Sequence, residues 1–146
     1  MRAVRVDAPP HVVYAWLAQL RAAPYSYDLI DNLGRRSPRT MTRTDEVEIG
    51  QTFAGIFTLT ACEPGRAITL ELTDRAALRL FGPVTLVYRA MPDQGTCVLR
   101  CDLFLPRPSN GFDGLRQLLL AWGDLVMMRR QLLNFRRLSE RTASLL

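Results

Sequence analysis

The chain contains no lysine; all 19 of its basic residues are arginine. It has a single histidine, His11, so no serine or cysteine nucleophile has an obvious imidazole partner. Its three cysteines, Cys62, Cys97 and Cys101, form an odd set without a CxxC pair, and no Cys/His spacing suggests a metal site. If Cys97 and Cys101 share a strand they stand about 13 Å apart by strand rise, too far for a disulfide. Buried thiols in a reducing cytoplasm are the expectation. Glycine-rich phosphate loops, GxSxG elbows and HExxH helices are all absent, so no nucleotide, redox or metal cofactor is expected. Long apolar runs are missing too. The longest in the C-terminal helical region, Leu118 to Trp122, is far too short to span a bilayer, so no integral membrane segment is expected. Near the N-terminus, Asp7, Pro9 and Pro10 come too early for the apolar core of a secretory signal, and a cytoplasmic location is expected.

What is present suits one globular domain over residues 1–146, with 48% hydrophobic and 23% charged residues. The arginine-only basic set and the net charge of +5 permit attraction to anionic partners. The arginines are spread along the chain, however, which favours a coding bias over a nucleic-acid surface. Arg35, Arg36, Arg39 and Arg43 would be the nearest to such a surface. They lack interleaved stacking aromatics, and no nucleic-acid partner is expected.

Periodicity gives the element order. Arg2 to Val6 alternates as a short strand. Asp7 is a candidate cap and Pro10 a candidate first residue for an amphipathic helix over 10–22, carrying Val12, Val13, Trp16, Leu17 and Leu20. A second short helix is expected over Tyr25 to Leu33, closed by Gly34, followed by a polar loop to Asp45. From Val47 the period becomes two. Phe53–Cys62, Ala67–Leu72, Val84–Ala90 and Thr96–Leu105 read as strands, with turns at Glu63-Pro64-Gly65-Arg66 and Pro92-Asp93-Gln94-Gly95. Asp74 to Leu80 is ambiguous. A long helix over Phe112–Ser139 closes the order. Its Leu115, Leu119, Trp122, Val126 and Leu133 share one face, expected to look at the sheet. A second apolar row, Leu120, Met127 and Leu138, suggests a homodimer contact.

Pro24 to Arg39 is the richest polar stretch, with two tyrosines, two acids, an asparagine and three arginines in sixteen residues. Asp28 and Asp31 stand three apart, and Asn32 and Arg35 follow four after each, so these groups share one side of a helix. They can form a polar rim for a ligand, or a capped helix whose acids pair with Arg35 or Arg36. Tyr25 and Tyr27 can present hydroxyls to a cavity or grip the helix to the sheet. Arg129, Arg130, Arg136 and Arg137 flank the expected inner face of the last helix. Their stems can cover apolar surface while the charges reach water, with Arg129 the best internal cation.

This order, entered through Val6-Asp7-Ala8-Pro9-Pro10 and an amphipathic helix, resembles the START-like helix-grip superfamily (SRPBCC) over nearly the whole chain. That group includes the major birch-pollen allergen, polyketide cyclases and aromatases, and lipid-transfer domains. The resemblance implies an α+β fold: a curved antiparallel sheet of six to seven strands around a long C-terminal helix, with two short helices after the first strand. It implies a cavity for a hydrophobic or lipid-like small molecule. Phe57, Tyr88, Leu99, Trp122 and Val126 are expected to line it. Tyr25, Tyr27, Asp28, Asp31 and Arg129 are expected to supply its polarity. The alternative is a polyketide cyclase-like enzyme in which tyrosine, aspartate or arginine moves protons in the same cavity.

Overall fold

Alternating apolar residues become six antiparallel strands in the computed structural model, which describes residues 1–25, 37–41 and 46–146, the side chain of Asp124 excepted. They are β1 (Arg2–Val6), β2 (Thr52–Phe53), β3 (Phe57–Glu63), β4 (Ala67–Leu72), β5 (Thr85–Asp93) and β6 (Thr96–Phe104). The sheet order is β1-β6-β5-β4-β3-β2, so five strands run as a meander and β1 returns to pair with β6. Cross-strand rows set the inner face. Leu59, Leu70, Leu86 and Leu103 form one row, and Ile68, Tyr88 and Cys101 the next. Val4, Leu99 and Ala90 form a third.

The β5–β6 turn is tighter than its composition suggests. Pro92 and Asp93 belong to β5, and only Gln94 and Gly95, both at positive φ, make the loop. Pro92 is tolerated there for a directional reason. Ala90 donates its N–H to Arg66 O at 2.7 Å, on the β4 side of the strand. Two residues on, Pro92 faces the same side, past the last β4–β5 pair, so its missing N–H breaks no ladder bond.

Among the described residues the α-helices are α1 (Pro10–Ala18), α2 (Arg75–Phe81) and α3 (Gly111–Ala143). Pro10 opens α1 as expected, and the helix runs on into a 3-10 turn, Gln19–Arg21. Asp7 is not its cap. The residue at that position is Pro9, and the Asp7 N–H instead donates to Glu140 at 3.1 Å. The ambiguous stretch after β4 is α2. Its Asp74 side chain accepts from Ala77 N at 2.9 Å, and Gly82 terminates it at φ 75°, ψ −174°. The expected second helix falls, beyond Tyr25, outside the described residues. Tyr25 itself is not helical; its φ is +56°.

The 33-residue α3 is capped by Asn110, whose side chain accepts from Asp113 N at 2.8 Å. At 1.5 Å per residue it is about 50 Å long. Its second half lies against α1 and β1, where Met128, Leu132 and Phe135 enter the core. Trp16 donates from Nε1 to Thr142 at 3.0 Å, and Tyr25 stacks between Trp16 and Phe135. The sequence-based choice of inner face is overturned. Leu115, Leu119, Trp122, Val126 and Leu133 are all exposed. The helix is turned by more than a third of a revolution from the expected orientation. No described helix is long and apolar enough to cross a membrane.

Candidate functional site

Where the first half of α3 passes over the sheet, the two do not close on each other. A cavity of about 600 Å³ lies between them, with α2 forming one side. The sheet contributes Phe57, Leu70, Leu72, Leu86, Tyr88 and Leu103, the inward members of β3 to β6. The α2 helix adds Leu80 and Phe81, and α3 adds Arg116, Leu120, Gly123, Met127, Met128 and Gln131. Arg116, Leu120, Gly123, Met127 and Gln131 recur every three or four residues, with Met128 beside them, so one helical face supplies them all. Gly123 borders the cavity at an exposed position, and a Cβ built there meets nothing within 4 Å, so a larger side chain has room at this edge. Leu80 and Leu119 are both lining and largely exposed, which places the mouth at that end.

Among the described residues, polar groups are few and sit at two places. At the buried end, the Tyr88 hydroxyl donates to Gln131 Oε1 at 2.6 Å, and Gln131 donates from Nε2 to the Pro24 carbonyl. Both side chains are buried, so this chain of hydrogen bonds fixes the end wall. Toward the mouth stands Arg116, held by Asp113 at 3.4 Å. Its Nε is buried and has no hydrogen-bond partner among the described residues. Asp113 is itself kept ionised: hydrogen bonds from Ser109 lower its pKa, and the nearby Arg116 charge adds to the effect. The guanidinium lies over the end of α2, where a Cβ on Gly82 would sit 3.1 Å from Nη2. Glycine suits position 82 for its backbone angle, and an added Cβ would make the guanidinium shift by a few tenths of an ångström.

Of the residues expected from the sequence, Phe57 and Tyr88 line the cavity. Leu99 does not. It is fully buried, but it lies two rows away from the Leu86–Leu103 row, on the part of the sheet covered by α1. Trp122 (63% exposed) and Val126 (50%) point to solvent, as does Arg129, because of the altered rotation of α3. Among the described residues the cation in the cavity wall is Arg116 instead. Leu120 and Met127, read as a dimer contact, are half-buried in the cavity wall. Tyr25 is buried and borders a separate polar pocket of about 230 Å³, where Arg39, Arg130, Arg137 and Arg141 converge. Tyr27, Asp28 and Asp31 lie outside the described residues.

Sequence reasoning missed Arg116, Gly123 and Gln131. The available signal was the Leu120–Met127 row, which continues at helical spacing through all three. Among the described residues the wall holds no carboxylate, histidine, cysteine or serine. Burial pushes the Cys97 thiol up to about 11, which keeps it protonated in the core near neutral pH. No protein-family model and no curated protein matches the chain.

Proposed function

We propose that this chain is a helix-grip binding module that holds an amphipathic small molecule between its sheet and its C-terminal helix. The observation that carries the reading is an apolar cavity near whose mouth stands Arg116, with a buried Nε that has no acceptor among the described residues. The six-stranded antiparallel sheet and long last helix are compatible with the START-like architecture that the sequence resembles. The volume falls in the usual range for small-molecule sites, roughly 300–1,000 Å³, and the apolar wall with few placed polar groups matches their chemistry. An apolar chain fits along Leu70, Leu86 and Met127 toward Tyr88, and an acidic head group fits at Arg116. A charge-assisted hydrogen bond there is worth about 1.5–3 kcal/mol, or roughly 10- to 100-fold in affinity.

The test compares a straight-chain carboxylic acid with the alcohol of equal length, by calorimetry on the whole chain. The acid binds more tightly to wild type, and Arg116→Gln removes the preference while keeping the alcohol's affinity. Gly123→Trp fills the cavity and abolishes both. Equal affinity for acid and alcohol would remove Arg116 from the site. Unchanged binding in Gly123→Trp would remove the cavity. The cyclase-like alternative would need an inward carboxylate from the 26–36 stretch. Tyr88, the one hydroxyl in the wall among the described residues, is already engaged with Gln131.

A further inference from the structure

The outer face of the first half of α3 is as apolar as its inner face. Phe112, Leu115, Leu118, Leu119, Trp122 and Val126 are each between 50% and 74% exposed. At roughly 150–250 Å² per large side chain they leave on the order of 700 Å² of apolar surface in water. Monomeric proteins seldom exceed about 300–600 Å² in one patch. A standard interface takes about 800 Å² from each partner, which this stripe nearly supplies by itself. Residues 112, 115, 119, 122 and 126 alternate spacings of three and four, the pattern by which one helix seats its side chains between those of another.

We propose that this stripe is a two-fold interface in which α3 of one chain packs antiparallel against α3 of a second copy. The charge on the rest of the outer face selects the direction. Beyond Val126 it carries Arg129, Arg130, Arg136 and Arg137, all exposed. Parallel pairing would lay these two sets side by side. Antiparallel pairing centred on Leu118 and Leu119 keeps the two Arg129 positions about 30 Å apart along the helices, several screening lengths at physiological salt. That register sets Leu115 of each copy near Trp122 of the other. A bilayer is the less suited occupant, because the stripe has no basic rim along its apolar half. Its arginines are gathered at one end. Leu119 belongs both to this stripe and to the mouth of the cavity, so the interface borders that mouth while leaving the inner-face residues Leu120, Met127 and Gln131 in place.

Sedimentation equilibrium of the whole chain tests this without any substitution. At tens of micromolar the wild type has the mass of two copies. Trp122→Glu and Leu115→Arg, both at exposed positions, each weaken self-association by at least about 100-fold, with unchanged circular dichroism. The double variant regains at least about 10-fold of that loss, because antiparallel pairing sets the new glutamate beside the new arginine. A wild-type monomer at about 100 μM overturns the proposal. So do single variants that associate like wild type. A double variant weaker than either single would overturn the antiparallel register, since parallel pairing sets like charges together. A monomer that co-sediments with phosphatidylcholine–phosphatidylglycerol vesicles would make a bilayer the occupant.

Discussion

Replacing Phe135 by alanine and, separately, Trp122 by alanine tests which side of α3 faces the core. Phe135 is fully buried and its ring lies 5.4 Å from that of Tyr25, which in turn meets Trp16 edge-on. Truncation removes most of a buried ring of roughly 200 Å² and leaves a hole that surrounding groups fill only partly. At about 25 cal/mol per Å², plus the cavity contribution, the expected loss is about 3–5 kcal/mol. For a chain of this length that corresponds to a melting temperature lower by about 10–15 °C. Trp122 is the larger side chain but is 63% exposed, so the same accounting gives it at most about 2 kcal/mol. Urea unfolding followed by circular dichroism measures both. The protein is diluted until the midpoint no longer depends on concentration, so that self-association does not contribute. Phe135→Ala should lose at least about 2 kcal/mol more than Trp122→Ala. Equal losses, or the reverse order, would mean that the Leu115–Trp122–Val126 face is the buried one and that the rotation of α3 described above is wrong.

Two further outcomes follow from the mouth of the cavity. Gly82→Ala is expected to destabilise by about 1–3 kcal/mol, because φ 75°, ψ −174° is a region open to glycine almost alone. Its new methyl also displaces the Arg116 guanidinium, so the preference for a carboxylic acid over its alcohol should shrink; an unchanged midpoint in urea and an unchanged preference would contradict this. Ser109→Ala removes the hydroxyl that most lowers the Asp113 pKa, so an NMR titration of that carboxyl should move up toward 3.8. The sign follows from the lowered value. The stability this group contributes is complete above 3.8 and is lost as pH falls through its folded-state pKa, and the variant loses it at a higher pH than wild type. A titration that does not move would show that Ser109 does not hold the carboxylate.

Elements fixed by local chemistry were readable in the sequence, and those fixed by three-dimensional context were not. Alternation marked β3 to β6 because each strand buries one face, and Pro10 marked the start of α1 because its missing N–H is of no consequence there. The Asp74 cap of α2 was equally local, but the helix is only 7 residues, too short for its period to stand out. The orientation of α3 could not be read by asking which stripe is more apolar. Two apolar stripes run along this helix. The inner one is interrupted by Arg116, Gly123 and Gln131, whose polarity or smallness serves the cavity. The outer one is continuous because, in the inferred dimer, it meets only another apolar stripe. A helix that contacts a cavity on one side and another protein chain on the other therefore presents its richer face outward. The rule that the most hydrophobic face points to the core fails on such a helix, and it fails at the residues that line the cavity.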